Sequence, residues 1–340
     1  MTGPAAVVAR FALPGRLVAV APLGQGLIND TWRVTTTESR AVLQRINTAV
    51  FHRPDRIMAN LRTVSRHLAA GPVRLPRPLP ARDGGDLVVD GGGCWRMLEH
   101  LPGVSLTALR DRRDAAALGR SLGRLHRGLA GLDPSRLYDT LPGFHQMAHY
   151  LDQLDRQLAT GSAGAEIVSL IEFIAARRAR ALDLEAAGLP PRVIHGDPKL
   201  DNVLFDPDSR QPLAWVDLDT LKPGLWLWDV GDCVRSACGA DGRFHLDWAL
   251  VLLEAWWREV RPVLTAAEYQ WVPEAVWRLP FELGVRFLTD HLAGDRYFKV
   301  DRRGRNLARA KAQFALAADV ERQGEALRQA WNRLSATPGR

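Results

Sequence analysis

Lysine is nearly missing from this 340-residue chain. It occurs four times, at Lys199, Lys222, Lys299 and Lys311, so any cation acting before residue 199 is an arginine or a histidine. Cysteine is scarcer still. Cys94, Cys233 and Cys238 form no C-x-x-C pair and no even framework, which excludes a dithiol redox motif and a zinc knuckle and points to a reducing, cytoplasmic setting. No apolar run approaches the ~18–20 residues that cross a bilayer. The opening MTGPAAVVARFALPG lacks the charged-then-apolar order of a secretory signal. No membrane association is expected. There is no internal repeat and no low-complexity linker. What is present is the balance of a globular protein, 46% hydrophobic and 24% charged residues, in a chain long enough for two lobes with real cores. The net charge is +7, but arginines alternate with acids along helical stretches rather than clustering. That is the pattern of a mixed solvated surface, and no nucleic-acid partner is expected.

The first ninety-odd residues read as strands, turns and one helix. A Val-rich run at 17–23 leads into Gly24-Gln25-Gly26 and then into strands at 31–35 and 41–46, a meander pattern. Pro54 opens a helix whose Ile57, Leu61, Val64 and Leu68 recur at helical steps. Strands at 86–90 and 94–99 flank Gly91-Gly92-Gly93 as in a hairpin. After Leu101-Pro102-Gly103 the composition turns to helix formers, with helical periodicity at 115–129, 147–159 and 166–187. A short Gly- and Asp-rich insert with two apolar strands occupies 192–219, and residues 229–331 read as helices again. The expected architecture is α+β: a small β-rich region over residues 1–98 and a large, mainly α-helical region over 99–340.

The chemistry concentrates in Val193-Ile-His195-Gly-Asp197-Pro-Lys199-Leu-Asp201-Asn202-Val-Leu-Phe205, a polar loop clamped between apolar residues. Fifteen residues after Asn202 a buried-looking strand ends in Asp217-Leu-Asp219. Two carboxylates and an amide are hard oxygen donors suited to Mg²⁺. One of the carboxylates is then free to orient a hydroxyl nucleophile, the division of labour that phosphoryl transfer requires.

The ordered set His195-Gly-Asp197-x-x-x-x-Asn202 with Asp217-x-Asp219 resembles the aminoglycoside phosphotransferase and choline kinase family, which has a protein-kinase-like, two-lobed fold. The resemblance implies an ATP-dependent kinase in which Asp197 is the catalytic base or hydroxyl orienter. Asn202 and Asp217 would hold Mg²⁺, His195 would shape the loop, and Asp219 would reach a second metal or brace the loop. Flanking stretches are similar to the N-acetylhexosamine 1-kinase branch: Gly24-Gln-Gly-Leu-Ile-Asn29, Val42-Leu-Gln-Arg45, and Arg286-Phe-Leu-Thr-Asp290 through Tyr297-Phe298. That likeness implies a sugar acceptor phosphorylated at its anomeric hydroxyl, with Arg286, Tyr297 and Trp331 on the sugar side. Leu27 stands where that branch commonly has a histidine, which weakens N-acetyl recognition. Other acceptors (an aminoglycoside, choline or homoserine) and a non-catalytic nucleotide-binding regulator are the alternatives.

The nucleotide side follows from the same likeness. Gly24, Gln25, Gly26 and Asn29 would form the turn over the phosphates, where glycine lets N–H groups approach oxygens. Kinases of this fold place a lysine on the third strand. Here that strand offers Gln44 and Arg45, and alternation lets only one face the cleft. Arg45 is the stronger phosphate partner. Glu99 and Leu101, at the junction of the two regions, would meet the adenine. From residue 241 onward there are 13 acidic and 16 Lys/Arg residues, a balance that favours a neutral substrate over a polycation.

Overall fold

Strand alternation and one amphipathic helix build the first layer. In the computed structural model, which describes residues 3–24, 26, 28–159, 165–240 and 242–336, β1 (Leu17–Pro22), β2 (Asp30–Thr36) and β3 (Arg40–Ile46) form an antiparallel meander. β3 then pairs with β6 (Gly93–Glu99), whose far edge carries β4 (Pro78–Leu79) and β5 (Leu87–Asp90). The two faces of this sheet serve different purposes. On one, Val34, Ala41, Leu43, Trp95 and Met97 pack with Val7, Val8 and Phe11, from α1 (Pro4–Val8) and the bridge after it. On the other, Ile46 packs on Phe51 and Ile57 of the segment entering α2 (Pro54–His67), and Leu98 joins the main core.

The chain beyond the sheet is helical, as expected, with one difference in the middle. β7 (Val104–Ser105) leads to α3 (Arg112–Leu129), which starts earlier than its apolar periodicity because the Asp111 carboxylate caps it, accepting from the Arg113 and Asp114 amides. α4 (Met147–Leu158) follows. The helical stretch expected at 166–187 is broken into α5 (Ala165–Ala175) and α6 (Arg178–Ala186). At the break the Arg177 guanidinium stacks on Phe173 and bonds Glu321. The polar insert is two nested hairpins. β8 (Arg192–Ile194) pairs with β11 (Lys222–Gly224), and between them β9 (Val203–Phe205) pairs with β10 (Pro212–Trp215). The loops 195–202 and 216–221 therefore leave the same end of the insert. They are tied by Val216 N donating to the Asn202 carbonyl at 2.9 Å.

Five helices complete the fold: α7 (Trp226–Cys238), α8 (Leu246–Val260), α9 (Ala266–Leu292), α10 (Arg305–Arg322) and α11 (Gly324–Ala336). α9 begins with a reciprocal cap between Thr265 and Glu268. α3 lies hard against α8, where a Cβ on Gly119 would stand 2.1 Å from the Leu252 carbonyl oxygen. Glycine is the residue that permits this approach, and it brings Trp256 of α8 within reach of His126 on α3. All three cysteines are free and buried. Among the described residues no helix is long and apolar enough to cross a membrane.

Candidate active site

A buried carboxylate holds the 195–202 loop from below. Asp229 of α7 is fully buried. Its Oδ2 accepts from the His195 amide (2.8 Å) and from His126 Nε2 (3.0 Å), and its Oδ1 accepts from the Gly196 amide (2.8 Å). Trp256 Nε1 donates to His126 Nδ1 at 3.0 Å, which assigns the imidazole proton to Nε2. Gly196 has φ +87°, and a Cβ there would lie 2.5 Å from the Thr220 carbonyl oxygen, so the loop bends where only glycine fits. His195 has a structural place: burial holds its imidazole below the ordinary value, and its ring bonds the Val216 carbonyl (3.1 Å) rather than facing the cleft.

The loop raised on this base carries the expected acids. Asp197 is half-buried, and burial pushes its carboxyl up, but Lys199 Nζ at 2.8 Å outweighs this and leaves it below the usual range. Asn202 is buried and turns its amide nitrogen onto the Asp197 carbonyl (2.7 Å) and Oδ2 (3.0 Å). Its Oδ1 is the atom left to serve as a ligand. Asp217, at φ +61°, is exposed to the cleft. Desolvation and the neighbouring charges of Asp219 and Asp197 push its carboxyl up to about 6. Among the described residues no three or more His, Cys, Asp or Glu side chains are grouped to hold a metal unaided. Asp217 and Asn202 instead offer two hard oxygens beside crowded negative charge. That fits Mg²⁺, which takes few protein ligands and completes its shell with water and phosphate. Asp219 is spent differently: its Oδ1 is paired with Arg96 and its Oδ2 accepts from Asn29 Nδ2 (2.6 Å), so it braces the cleft.

The nucleotide side departs from expectation at the third strand. Gly24 has φ +72°, open space around it and no Cβ to block a phosphate. Asn29, at the end of the turn, accepts from the Asn47 amide at 2.9 Å, and Lys299 reaches the Asn29 carbonyl and Asp30. Gln25 and Leu27 lie outside the described residues. Arg45 is not the cleft-facing residue. It is registered opposite Trp95, with its guanidinium 5.8 Å from that ring, on the face packed toward α1. Gln44 faces the cleft, and the cation beside it is Arg96, its register partner on β6. Asn60 of α2 donates to the Tyr138 and Leu221 carbonyls. The Glu99 N–H donates to the Arg77 carbonyl and its carboxylate is clamped by Arg74 and Arg77, so neither is offered to a base. Leu101 follows the end of β6 with its side chain buried.

On the acceptor side the three expected residues separate. Trp331 is fully buried, stacked on Tyr269 at 4.5 Å and donating to the Tyr269 carbonyl. It is a core residue with no surface for a sugar. Arg286 lies with its guanidinium 4.9–5.5 Å from the Phe144, Tyr150 and Phe298 rings. It makes no hydrogen bond among the described residues, and its nearest carboxylate, Glu282, is 3.8 Å away. Its field is felt at Tyr150 and it feels Asp197. Tyr297 and Phe298 are held by their amides on Asp290, which also accepts from Asn306. Sequence reasoning missed His145. It is buried at φ +66°, bonds Glu282 (3.0 Å) through Nδ1 and the Gly196 carbonyl (2.7 Å) through Nε2, and so joins the acceptor side to the catalytic loop. It missed Asp229 as well, although that residue opens the D-x-G-D stretch Asp229-Val-Gly-Asp232.

Residues 19–263 match the family model described as the phosphotransferase enzyme family. A homoserine kinase of Azorhizobium caulinodans is 29% identical over 266 residues, covering 76% of this chain and 77% of the relative. An aminoglycoside phosphotransferase structure from Alicyclobacillus acidocaldarius superposes with a TM-score of 0.68 at 16% identity, over 98% of this chain and 97% of that one. A choline/ethanolamine kinase family protein from Mesorhizobium loti does so with a TM-score of 0.61 at 19% identity, over 98% and 99%. At these identities the structural matches speak for a shared protein-kinase-like fold.

Proposed function

This chain belongs to the phosphotransferase enzyme family, and from that premise we propose that it transfers the γ-phosphate of ATP to a hydroxyl of a small acceptor bearing an anionic group, an amino-acid alcohol of the homoserine type. One observation carries the acceptor assignment: the Arg286 guanidinium is enclosed by three aromatic rings and makes no hydrogen bond among the described residues. A guanidinium has five N–H donors in a fork that matches a carboxylate. The homoserine kinase relative supports the same reading. The second reading is the anomeric hydroxyl of a hexosamine or N-acetylhexosamine. The segment from Arg286 to Tyr297 and the aromatic wall beside it favour that alternative.

In either case Asp197 orients the acceptor hydroxyl. A carboxylate held below its ordinary value is a weak base, so its main service is alignment, with the proton taken as the new O–P bond forms. Asn202 and Asp217 would hold Mg²⁺, which when bound neutralises charge on the phosphates. Lys199 adds a fixed positive charge beside Asp197. Gly24, Gly26 and Asn29 would bound the turn over the phosphates, and Leu101 would meet the base.

An ADP-release assay over homoserine, choline, hexosamine, N-acetylhexosamine and an aminoglycoside tests this. Homoserine is expected to give the highest kcat/KM, and Arg286→Gln to raise the KM for homoserine while leaving that for ATP in place. Turnover of hexosamines alone would move the assignment to the second reading. ATP binding with no turnover of any acceptor would reduce the chain to a nucleotide-binding regulator.

A further inference from the structure

We propose that Arg96, on β6, is the residue that grips the nucleotide phosphates in this chain, replacing the lysine that the third strand of this fold ordinarily supplies, with Gln44 as its bracket. This rests on the ATP-dependent reading above.

The argument begins with an absence: no lysine precedes Lys199, and β3 turns Gln44, not Arg45, toward the cleft. Gln44 and Arg96 are direct register partners on adjacent strands. The Gln44 Oε1 accepts from both Arg96 Nε (2.9 Å) and Nη2 (2.7 Å), which fixes the plane of the guanidinium. Nη2 also donates to Asp219, whose other oxygen is held by Asn29 of the phosphate turn. Arg96 is therefore tied at once to the third strand, to the Asp217–Asp219 segment and to the Gly24–Asn29 turn. Its charge is also felt at Asp217.

A clamp between the two regions would need only Nε and Nη2. The remaining nitrogen, Nη1, is buried and has no partner, on a side chain only 1% exposed. A buried guanidinium N–H without an acceptor is costly and rare. A phosphate oxygen is the acceptor that this position, between the turn and the acidic pair, would receive. The usual lysine and this arginine differ in strand, not in service. The cation can stand on β6 because its register partner on β3 is an amide whose oxygen accepts from it.

Calorimetric titration of a non-hydrolysable ATP analogue with Mg²⁺ tests the assignment on wild type, Arg96→Gln, Arg96→Lys and the double variant Gln44→Lys/Arg96→Gln, each with a melting curve taken without nucleotide. Arg96→Gln should weaken the analogue about ten- to a hundredfold, the range of one charge-assisted hydrogen bond. The double variant, which restores a lysine to β3, should recover most of that loss. Should Arg96→Gln fail to fold because Asp219 is left charged and unpaired, Arg96→Gln/Asp219→Asn removes that charge and should show the same weakening. Analogue affinity unchanged in a folded Arg96→Gln protein, or no recovery in the double variant, would make Arg96 a clamp and overturn the proposal. A wild-type protein that does not bind the analogue would overturn the ATP-dependent reading itself, and this inference with it.

Discussion

Replacing Asp229 by asparagine changes the loop that carries Asp197 without touching any group proposed to meet substrate. The substitution keeps shape and volume but has one acceptor oxygen where the carboxylate has two. With the amide oxygen in the Oδ2 position, the bonds from the His195 amide and His126 Nε2 survive, and the new NH₂ faces the Gly196 N–H, donor against donor. The opposite orientation loses two bonds instead of one. The better orientation thus gives up one charge-assisted hydrogen bond and strands a buried amide, together about 2–4 kcal/mol. Gly196 directly precedes Asp197, so a shift there displaces the carboxylate proposed to align the acceptor, and misplacement near 1 Å costs about a hundredfold in rate. Urea denaturation should show the stability loss, and steady-state kinetics should show kcat falling by about that factor while the KM for ATP changes little. A folded Asp229→Asn protein with wild-type stability and kcat would refute the reasoning, because it would mean that these bonds do not hold the loop.

Three further outcomes are expected. Asp197→Ala should lower kcat by about 10²–10⁴-fold and leave nucleotide affinity largely intact; retained wild-type kcat would remove its role. Gly119→Ala sets a methyl 2.1 Å from the Leu252 carbonyl oxygen, and the resulting strain of about 1–3 kcal/mol should exceed the helix propensity that alanine gains there, giving a lower denaturation midpoint; an unchanged or raised midpoint would show that α3 and α8 separate freely. The buried pair of His145 and Glu282 should shape stability against pH. The net shift of His145 is upward from 6.5: its burial works against charge, and Glu282 and the Gly196 carbonyl outweigh it, so its contribution is complete below 6.5 and is lost as pH rises through the raised value. Glu282, buried but facing His145, Arg278 and Arg286, is held down at about 2, so its contribution is present above its ordinary 4.5 and fades as pH falls toward 2. Melting temperatures should fall off on both sides, and His145→Asn should flatten the alkaline side; an identical alkaline slope in that variant would discard the His145 part.

The fold class and the core of the candidate site were legible because they rest on patterns that survive without coordinates. Polar residues on a glycine-bent loop between apolar strands have few structural uses, and His195 through Asn202 with Asp217 form such a pattern. What failed was pairwise. Alternation on β3 separates Gln44 from Arg45, but which of them faces the cleft depends on which face α1 covers, and Val7 and Val8 gave no sign of that. Arg96 carries no mark in the sequence, because only the β3–β6 register sets it beside Gln44. Trp331 was misread because a ring that stacks on a ligand and a ring that stacks on Tyr269 have the same sequence signature. Asp229 and His145 act through backbone groups of the catalytic loop, and backbone partners leave no mark on side-chain spacing. The break between α5 and α6 turns on Arg177 meeting Glu321 from a distant helix, a contact invisible to local periodicity.

The burial of Cys94, Cys233 and Cys238 has a practical side. Burial raises all three thiols above their ordinary value, so their reactive thiolate fraction is small. To a maleimide the native protein is close to blank. A single cysteine engineered beside Gly24 would then be the dominant labelling site, and the speed at which a dye attaches, with and without nucleotide, would report whether a nucleotide covers that turn.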